Sequence, residues 1–225
     1  WHLSTPMLLR QSDRGLPRYN DRNAWHVEED RFCYNGGQEL VPVDNTAASI
    51  VDASHNGAGA RYQNTHLLPA DVDDWQQYRA RIEGGFMRFF RSPDARQWVV
   101  QSPDGSRFDF GVLPFGDGPA DIDARQSLVS ERPDGAGRIG RWLLTRTSDV
   151  HGSTIYYRYA RSGGHHTLRD VFYVSPASCA SPGADLLAAS ASQRRCREPV
   201  SSYAVRVSVR YESREDVFTR YVLGW

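Results

Sequence analysis

Two groups of residues have side chains that could bind a metal ion or move protons. They are the adjacent pair His165 and His166, and an acidic cluster that follows two histidines (His55, His66, Asp71, Asp73 and Asp74). Adjacent histidines point to opposite sides of a strand or diverge in a loop, so they chelate poorly without further ligands. The acidic cluster lacks the glycine and the distal glutamate of a calcium-binding loop. We therefore predict exposed loop histidines, a solvated acidic turn and no metal site.

The sequence contains no recognisable catalytic motif. No Gly-x-Ser-x-Gly turn marks a serine nucleophile, and no cysteine lies in a catalytic context. A phosphate-binding loop that ends in Gly-Lys is impossible, because the chain has no lysine. A glycosidase needs two carboxylates at a separation set by the fold, and no pair is distinguished here. We expect a protein that is not an enzyme and binds no cofactor.

The three cysteines are too few for a disulfide framework and wrongly spaced for zinc. Cys33 lies in a strand-like aromatic run and is expected to be a small buried apolar group. Cys179 and Cys196 share a polar segment rich in Ser, Ala and Pro. A disulfide between them would contribute about 3 kcal/mol through loop closure, and two free thiols are equally compatible with the sequence. We predict that their Cα atoms lie within bridging reach, roughly 4.4 to 6.8 Å apart.

The elements that would position these residues are strands, because turn signals recur at short intervals and almost no segment has a helical period. In the clearest hairpin, Pro103 sets the first corner of the turn and Gly105 accepts a positive φ. An Asn-Gly pair at Asn35 marks another hairpin. The predicted hairpins join 97–101 to 106–110, 141–147 to 153–159, and 32–34 to 39–43.

Two further strands are expected at 86–91 and 168–174. Two polar stretches, 44–74 and 175–202, separate the strands and should be mainly loop. A short helix is conceivable from Asp71 toward Tyr78, with one or two helical turns near 185–189. The fold class predicted is all-β: antiparallel hairpins that form a large open sheet, with long polar loops and little helix.

The end of the chain predicts one long strand, 203–212, with a period of two. Arg206 and Arg210 lie on one face and should point toward solvent. The opposite face should be buried, so that Val207→Asp would destroy the fold. That face consists of Tyr203, Val205, Val207, Val209 and Tyr211.

Composition excludes some partners. The 225 residues carry 27 basic and 27 acidic side chains, and this balance gives no reason to expect a nucleic-acid surface. No apolar run approaches the roughly 18 to 20 residues of a membrane span, so no membrane insertion is expected.

Several motifs in order along the chain resemble one family. They are Trp1-His2-Leu3-Ser4-Thr5-Pro6, Gly15-Leu16-Pro17-Arg18-Tyr19, Glu39-Leu40-Val41-Pro42, the segment 149–159, and 214–224 with Glu215 where a proline is usual. This series is similar to the N-terminal domain of the SpvB / Tc-toxin B-subunit (TcdB/TcaC-like) family, which is related to Rhs/YD shell proteins.

The resemblance implies a function in containment. Residues 1–225 would be a single SpvB-like N-terminal β domain, a fragment of a longer secreted chain and part of an Rhs/Tc-type shell. The shell would enclose a toxic polypeptide, with a C component (the Rhs-type partner) and a pore-forming A component as partners. Some relatives carry a separate ADP-ribosyltransferase domain, and its Glu-x-Glu and Ser-Thr-Ser motifs are missing from this sequence.

A second hypothesis is a secreted carbohydrate-binding β-sandwich. Trp25, Trp75, Trp98 and Trp142 could form a platform on which sugar rings stack. Core packing is the favoured interpretation for Trp98 and Trp142, because aromatic side chains are typical of half-buried strands.

Overall fold

The computed structural model describes residues 5–11, 31–43, 75–113, 123–130, 138–151, 153–162, 165–179 and 198–212. These ranges contain one sheet of 12 strands. The strands are β1 (Met7–Arg10), β2 (Phe32–Tyr34), β3 (Gln38–Pro42), β4 (Gln76–Ala80), β5 (Arg88–Arg91), β6 (Gln97–Gln101), β7 (Arg107–Gly111), β8 (Leu128–Ser130), β9 (Ile139–Ser148), β10 (Thr154–Ser162), β11 (His165–Tyr173) and β12 (Val205–Ser208). Short 3₁₀ helices lie at Ala124–Ser127, Ala177–Cys179 and Val200–Ser202.

Strands β1 to β7 and β9 form a closed ring. Each strand pairs antiparallel with the next, β7 pairs with β9, and β1 returns to β9 with Leu8 opposite Trp142. Arg10 strengthens this closure, because its Nε donates a 2.7 Å hydrogen bond to the carbonyl of Ile139. Strand β8 pairs with β9, while β10, β11 and β12 continue the sheet beyond the ring.

Aromatic and aliphatic side chains fill the interior of the ring. Alternate residues of its strands point inward, as closure of a small barrel requires. Trp98 and Trp142 are fully buried with ring centroids 5.9 Å apart, and Phe32 packs against both. One cluster joins the ring strands: Leu8, Phe32, Tyr34, Leu40, Tyr78, Phe89, Trp98, Val100, Phe110, Leu128, Ile139, Trp142 and Leu144.

The three predicted hairpins are confirmed as β6–β7, β9–β10 and β2–β3. Gly105 has φ 83° in the β6–β7 turn, and the Asp104 carboxylate accepts from the amide of Ser106 at 2.9 Å. Gly111 has φ 75°, and a Cβ there would lie 2.3 Å from the carbonyl oxygen of Arg96. Turn chemistry therefore fixes the hairpin ends as the sequence indicated.

The all-β fold is confirmed, and some local expectations need correction. The sheet does not stay open, because β1 pairs with β9. The helix expected toward Tyr78 is wrong at its described end, since Tyr78 lies in β4 and pairs with Phe89. Cys33 is buried, as predicted. Among the described residues, no helix has the length and hydrophobicity to cross a membrane.

Candidate functional site at the sheet edge

A row of side chains crosses the last strands on the face of the sheet that turns away from the ring core. Asp109 of β7 lies opposite Arg146 of β9, which lies opposite Tyr156 of β10. Tyr156 lies opposite Phe172 of β11, which lies opposite Arg206 of β12. Directly opposite residues contact one another on a sheet face. The row therefore connects the ring to the last strand.

The ring end of this row is an ion cluster, which we call the inner ion centre: Arg107, Asp109 and Arg146. Asp109 Oδ1 accepts from Arg107 Nε at 2.9 Å and from its Nη2 at 2.6 Å, and Oδ2 accepts from Arg146 Nε at 2.7 Å. All three side chains are buried. Burial by itself lowers the pKa of Arg146, but the charge of Asp109 holds it above its ordinary value. The Arg146 guanidinium is thus kept charged inside the protein.

The other end is a second cluster, the outer ion centre: Arg158, Asp170, Arg206 and Ser208. The Oδ2 atom of Asp170 accepts from Arg158 Nε at 2.8 Å, and Oδ1 accepts from Arg206 Nε at 2.8 Å and from Ser208 Oγ at 2.7 Å. Burial alone would raise the pKa of Asp170, but hydrogen bonds from Arg206, Ser208 and Arg158 bring it below its ordinary value. This centre fastens β12 to β10 and β11.

Aromatic stacking reinforces the outer ion centre. The guanidinium carbons of Arg158 and Arg206 lie 5.1 and 5.7 Å from the centroid of the Phe172 ring. A guanidinium over an aromatic face is attracted by the ring quadrupole. Next to this ring, Tyr203 packs on Tyr156, and its hydroxyl lies 2.5 Å from Thr154 Oγ1. Residue Tyr203 therefore anchors the segment that leads into β12.

The predicted burial of the last strand is confirmed at Tyr203, which is buried, and in part at Val205 and Val209, which are half-buried, but it is wrong at two positions. Strand β12 covers Val205–Ser208 only, and the face expected to be buried leaves Val207 46% and Tyr211 61% exposed. Arg206 and Arg210 are exposed, as predicted, although Arg206 Nε also donates to the buried Asp170. Alternation therefore identified the two faces correctly, and the apolar face is the more buried of the two.

Exposed apolar side chains accompany this strand. Val174, which precedes the loop to β12, has φ 62° and is 53% exposed, and its carbonyl accepts from the amide of Ala204 at 3.1 Å. Tyr173 at the end of β11 is also exposed. Large apolar side chains that gather on a surface are typical of interaction sites. We take β12 and its surroundings as the candidate functional site.

The predicted histidine pair lies in a strand rather than a loop. His165 and His166 begin β11, where His165 is exposed and His166 is half-buried. The Nδ1 atom of His166 lies 2.7 Å from the carbonyl oxygen of Gln126, and burial lowers the pKa of this histidine below its ordinary value. The imidazole therefore links β11 to the 3₁₀ helix before β8.

The remaining sequence-predicted site residues fall partly outside the described ranges. His55, His66, Asp71, Asp73, Asp74, Trp25 and Cys196 all do. Cys179 ends a 3₁₀ helix. Because Cys196 lies outside the described ranges, the disulfide between these two cysteines stays a prediction. No group of three or more metal-binding side chains occurs within the described ranges. Trp98 and Trp142 are fully buried, which confirms the core packing predicted for them. Trp75 is buried as well, so none of these three side chains is exposed for sugar stacking.

The chain belongs to the SpvB family. The family model described as SpvB, Salmonella virulence plasmid 65kDa B protein, matches residues 1–173. No curated protein sequence matches the chain.

Solved structures show the same fold. The N-terminal domain of effector protein SpvB from Salmonella typhimurium strain LT2 is 19% identical with a TM-score of 0.52, over 83% of this chain and 56% of that chain. The TcdB2-TccC3 structure is 20% identical with a TM-score of 0.55, over 95% of this chain and 9% of that chain. The TcdB2-TccC3-Cdc42 structure is 20% identical with a TM-score of 0.54, over 92% of this chain and 9% of that chain.

The chain thus spans about half of the solved SpvB domain and less than a tenth of the TcdB2-TccC3 chain. It is a member of the SpvB family with an antiparallel sheet, and it has the fold of the matching part of TcdB2-TccC3.

Proposed function

We propose that residues 1–225 form a single non-enzymatic structural module, a wall segment of a β-shell that encloses a toxic polypeptide and helps to deliver it. The observation that carries this proposal is the continuation of the sheet beyond the closed ring through β10, β11 and β12. A wall must pass its sheet from one segment to the next. Strand β12, with Val207 and Tyr211 exposed beside it, is suited to such a continuation.

The packing of the ring supports a structural role. Its interior is occupied by the side chains of the ring core, with Trp98, Val100, Phe110 and Trp142 fully buried. In a barrel of this size, side chains can fill the whole interior and form a packed core. The buried polar clusters of the sheet are ion pairs between strands, so their evident contribution is to hold strands together.

The proposed partners follow from the family resemblance. They are a C component of the Rhs type, which would complete the shell, and a pore-forming A component on which the shell docks. The proposed location is outside the producing cell. Mechanistically, the module would act through containment and protein contact, with no cofactor and no bond chemistry of its own.

Protection of the enclosed polypeptide tests the proposal. The full-length chain that contains this sequence would be assembled with its C component and exposed to protease. We expect the enclosed polypeptide to resist cleavage in the unmodified assembly and in the Arg210→Ala control, whose side chain is exposed. Arg206→Ala, which loosens only β12, should increase the rate of cleavage of the enclosed polypeptide.

Unchanged protease resistance in the variant would contradict the proposal. If Arg206→Ala loosens β12 in hydrogen exchange and the enclosed polypeptide stays as resistant as in the unmodified assembly, this segment does not form the wall. Binding of the full-length chain to glycans on an array, with no enclosed polypeptide, would favour the carbohydrate-binding hypothesis instead.

A further inference from the structure

The outer ion centre has one arginine more than its aspartate can bind. Asp170 Oδ1 accepts from Arg206 Nε at 2.8 Å and from Ser208 Oγ at 2.7 Å. Its Oδ2 accepts from Arg158 Nε at 2.8 Å and from Arg158 Nη2 at 2.5 Å. These four hydrogen bonds use about all the lone-pair sites of a carboxylate. Arg169 is a third arginine at this carboxylate, and its Nε lies 3.8 Å from Oδ2, too far for a hydrogen bond.

A bulge in β11 brings Arg169 to this side of the sheet. Arg158 of β10 lies opposite Asp170, but the next residue of β10, Tyr159, lies opposite Leu168. Arg169 therefore has no residue directly opposite it on β10. In a regular strand it would point away from Asp170, because successive side chains point to opposite faces. Bulges redirect side chains in this way and are frequent next to functional sites.

The three arginines leave the outer ion centre with an excess of positive charge. Arg158, Arg169 and Arg206 contribute +3 and the ionised Asp170 contributes −1, so the sum is +2. Within the described ranges, Asp170 is the only carboxylate that pairs with any of these arginines. Like charges that converge repel one another, and a bound anion removes this repulsion.

The unused donors of these arginines can be reached from solvent. The side chain of Arg158 is partly exposed, and those of Arg169 and Arg206 are exposed by half or more. In the part of the chain that the structure describes, Arg158 Nη1, both Nη atoms of Arg206 and the nitrogens of Arg169 have no protein acceptor. A guanidinium presents its N–H groups as a planar fork that matches the oxygens of a phosphate or a carboxylate.

We propose that the outer ion centre binds a doubly charged oxygen anion of the phosphate-monoester class through Arg169 and Arg206, with Arg158 beside them. The charge selects this class, because a dianion balances the excess of +2, whereas a carboxylate balances half of it. A phosphate monoester carries about −1.5 to −2 at pH 7. Asp170 is then a positioning residue that orients Arg158 and Arg206. This inference does not depend on the proposed enclosure of a polypeptide.

Calorimetric titration of the full-length chain with inorganic phosphate tests the site. The ionic strength is held constant, because salt screens exposed charges. We expect phosphate to bind and Arg169→Ala to weaken this binding at least about tenfold, since charge-assisted hydrogen bonds are lost. Arg169→Lys keeps the charge without the planar fork and should bind with an intermediate affinity.

The matched control is Arg210→Ala, which removes an exposed arginine shortly after β12 and should leave the affinity for phosphate unchanged. Hydrogen exchange of β11 and β12 in phosphate-free buffer should be the same in the unmodified chain and in Arg169→Ala. This second measurement separates a loss of the site from a loss of the fold.

Vesicles identify the source of the phosphate group. The full-length chain is sedimented with phosphatidylcholine vesicles that contain or lack phosphatidic acid, whose headgroup is a phosphate monoester. Binding that requires phosphatidic acid and is lost in Arg169→Ala would assign the site to a lipid headgroup. Binding of inorganic phosphate without binding to these vesicles would assign it to a soluble phosphate.

Three results would overturn the proposal. One is that the full-length chain binds neither inorganic phosphate nor the vesicles with phosphatidic acid. Another is that the unmodified chain and Arg169→Ala bind phosphate with equal affinity. The third is that acetate, a monoanion, displaces phosphate at equal concentration, because the charge of the ligand would then not matter.

Discussion

The inner and outer ion centres use the same chemistry at two depths. Each pairs one aspartate with two arginines. At the inner centre Arg107 lies on the same strand as Asp109 and Arg146 on the next one. At the outer centre Arg158 and Arg206 lie on the strands on either side of Asp170. At the inner centre the exposed fractions of the Arg107 and Arg146 side chains are 6% and 0%. At the outer centre those of Arg158 and Arg206 are 26% and 50%. Water can therefore replace a lost partner at the outer centre and cannot do so at the inner one.

This difference separates two roles. Within the ring, apolar packing holds the strands together, and the inner ion centre pairs charges that are already enclosed. At the edge, β12 has little apolar burial, since Val207 is 46% exposed. Strand β12 is therefore held mainly by its backbone pairing with β11 and by the hydrogen bonds that Arg206 and Ser208 donate to Asp170.

The largest expected contrast comes from one substitution made in both regions. Val100→Asp places a charge in the ring core, where Val100 is fully buried, and should lower the free energy of unfolding by more than about 4 kcal/mol. Val207→Asp places the same charge on β12 and should cost at most about 1 kcal/mol. Denaturant unfolding of the full-length chain, followed by circular dichroism, measures both values.

The control for this pair is Val207→Thr, which keeps a β-branched side chain and should change stability by only about 0.5 kcal/mol. If Val207→Asp is as damaging as Val100→Asp, the edge strand is buried by another part of the chain, and the contrast between ring and edge is wrong.

The second contrast removes one arginine from each ion centre. Arg146→Met removes the ion pair with Arg146 from the buried Asp109 and should lower the free energy of unfolding by about 3 to 5 kcal/mol. Arg206→Ala leaves Asp170 with Arg158 and Ser208, and the half-exposed site admits water, so the expected loss is about 1 kcal/mol. Hydrogen exchange should show the Arg206→Ala effect confined to β12 and its neighbour.

Arg169→Ala is the matched control, because Arg169 is 61% exposed and its Nε lies 3.8 Å from Asp170 Oδ2. This substitution should leave the free energy of unfolding nearly unchanged. Equal losses of unfolding free energy for Arg146→Met and Arg206→Ala would mean that the burial of the arginines does not distinguish the two ion centres.

Local chemistry made the hairpins predictable. The Pro103-Asp104-Gly105 turn and the Asn35-Gly36 pair determine their geometry within four residues, so β6–β7 and β2–β3 follow from the sequence. The alternation of aromatic and β-branched residues likewise identified strands such as β10 and β11. Their ends shifted by a few residues, because pairing with neighbours sets where a strand stops.

Closure of the ring was not predictable in the same way. It joins β1 to β9, and the hydrogen bond from Arg10 to Ile139 spans 129 positions. No local pattern reports which distant strand becomes a neighbour. The same limit explains the error at the last strand, where Val207 and Tyr211 stay exposed although the alternation predicted their burial. The sequence carried no local signal that Arg206 would donate to Asp170 on β11.

The smallest expected effect is the loss, in acid, of the stability that the outer ion centre contributes. The pKa of Asp170 is lower in the folded protein than its ordinary value of about 3.9. The unfolded state therefore binds the proton more readily. The stability that the carboxylate contributes is present above about pH 3.9 and is lost as pH falls through the depressed folded value.

Asp170→Asn isolates this contribution, because the amide keeps the shape and removes the charge. The difference in unfolding free energy between the unmodified chain and Asp170→Asn should be constant from about pH 7 to pH 5 and should shrink below about pH 3.9. Denaturant unfolding across this range measures it, with Arg210→Ala as the control that changes charge without touching Asp170. A difference that grows in acid would mean that Asp170 binds its proton more readily in the folded state, and that the half-exposed arginines do not stabilise its charge.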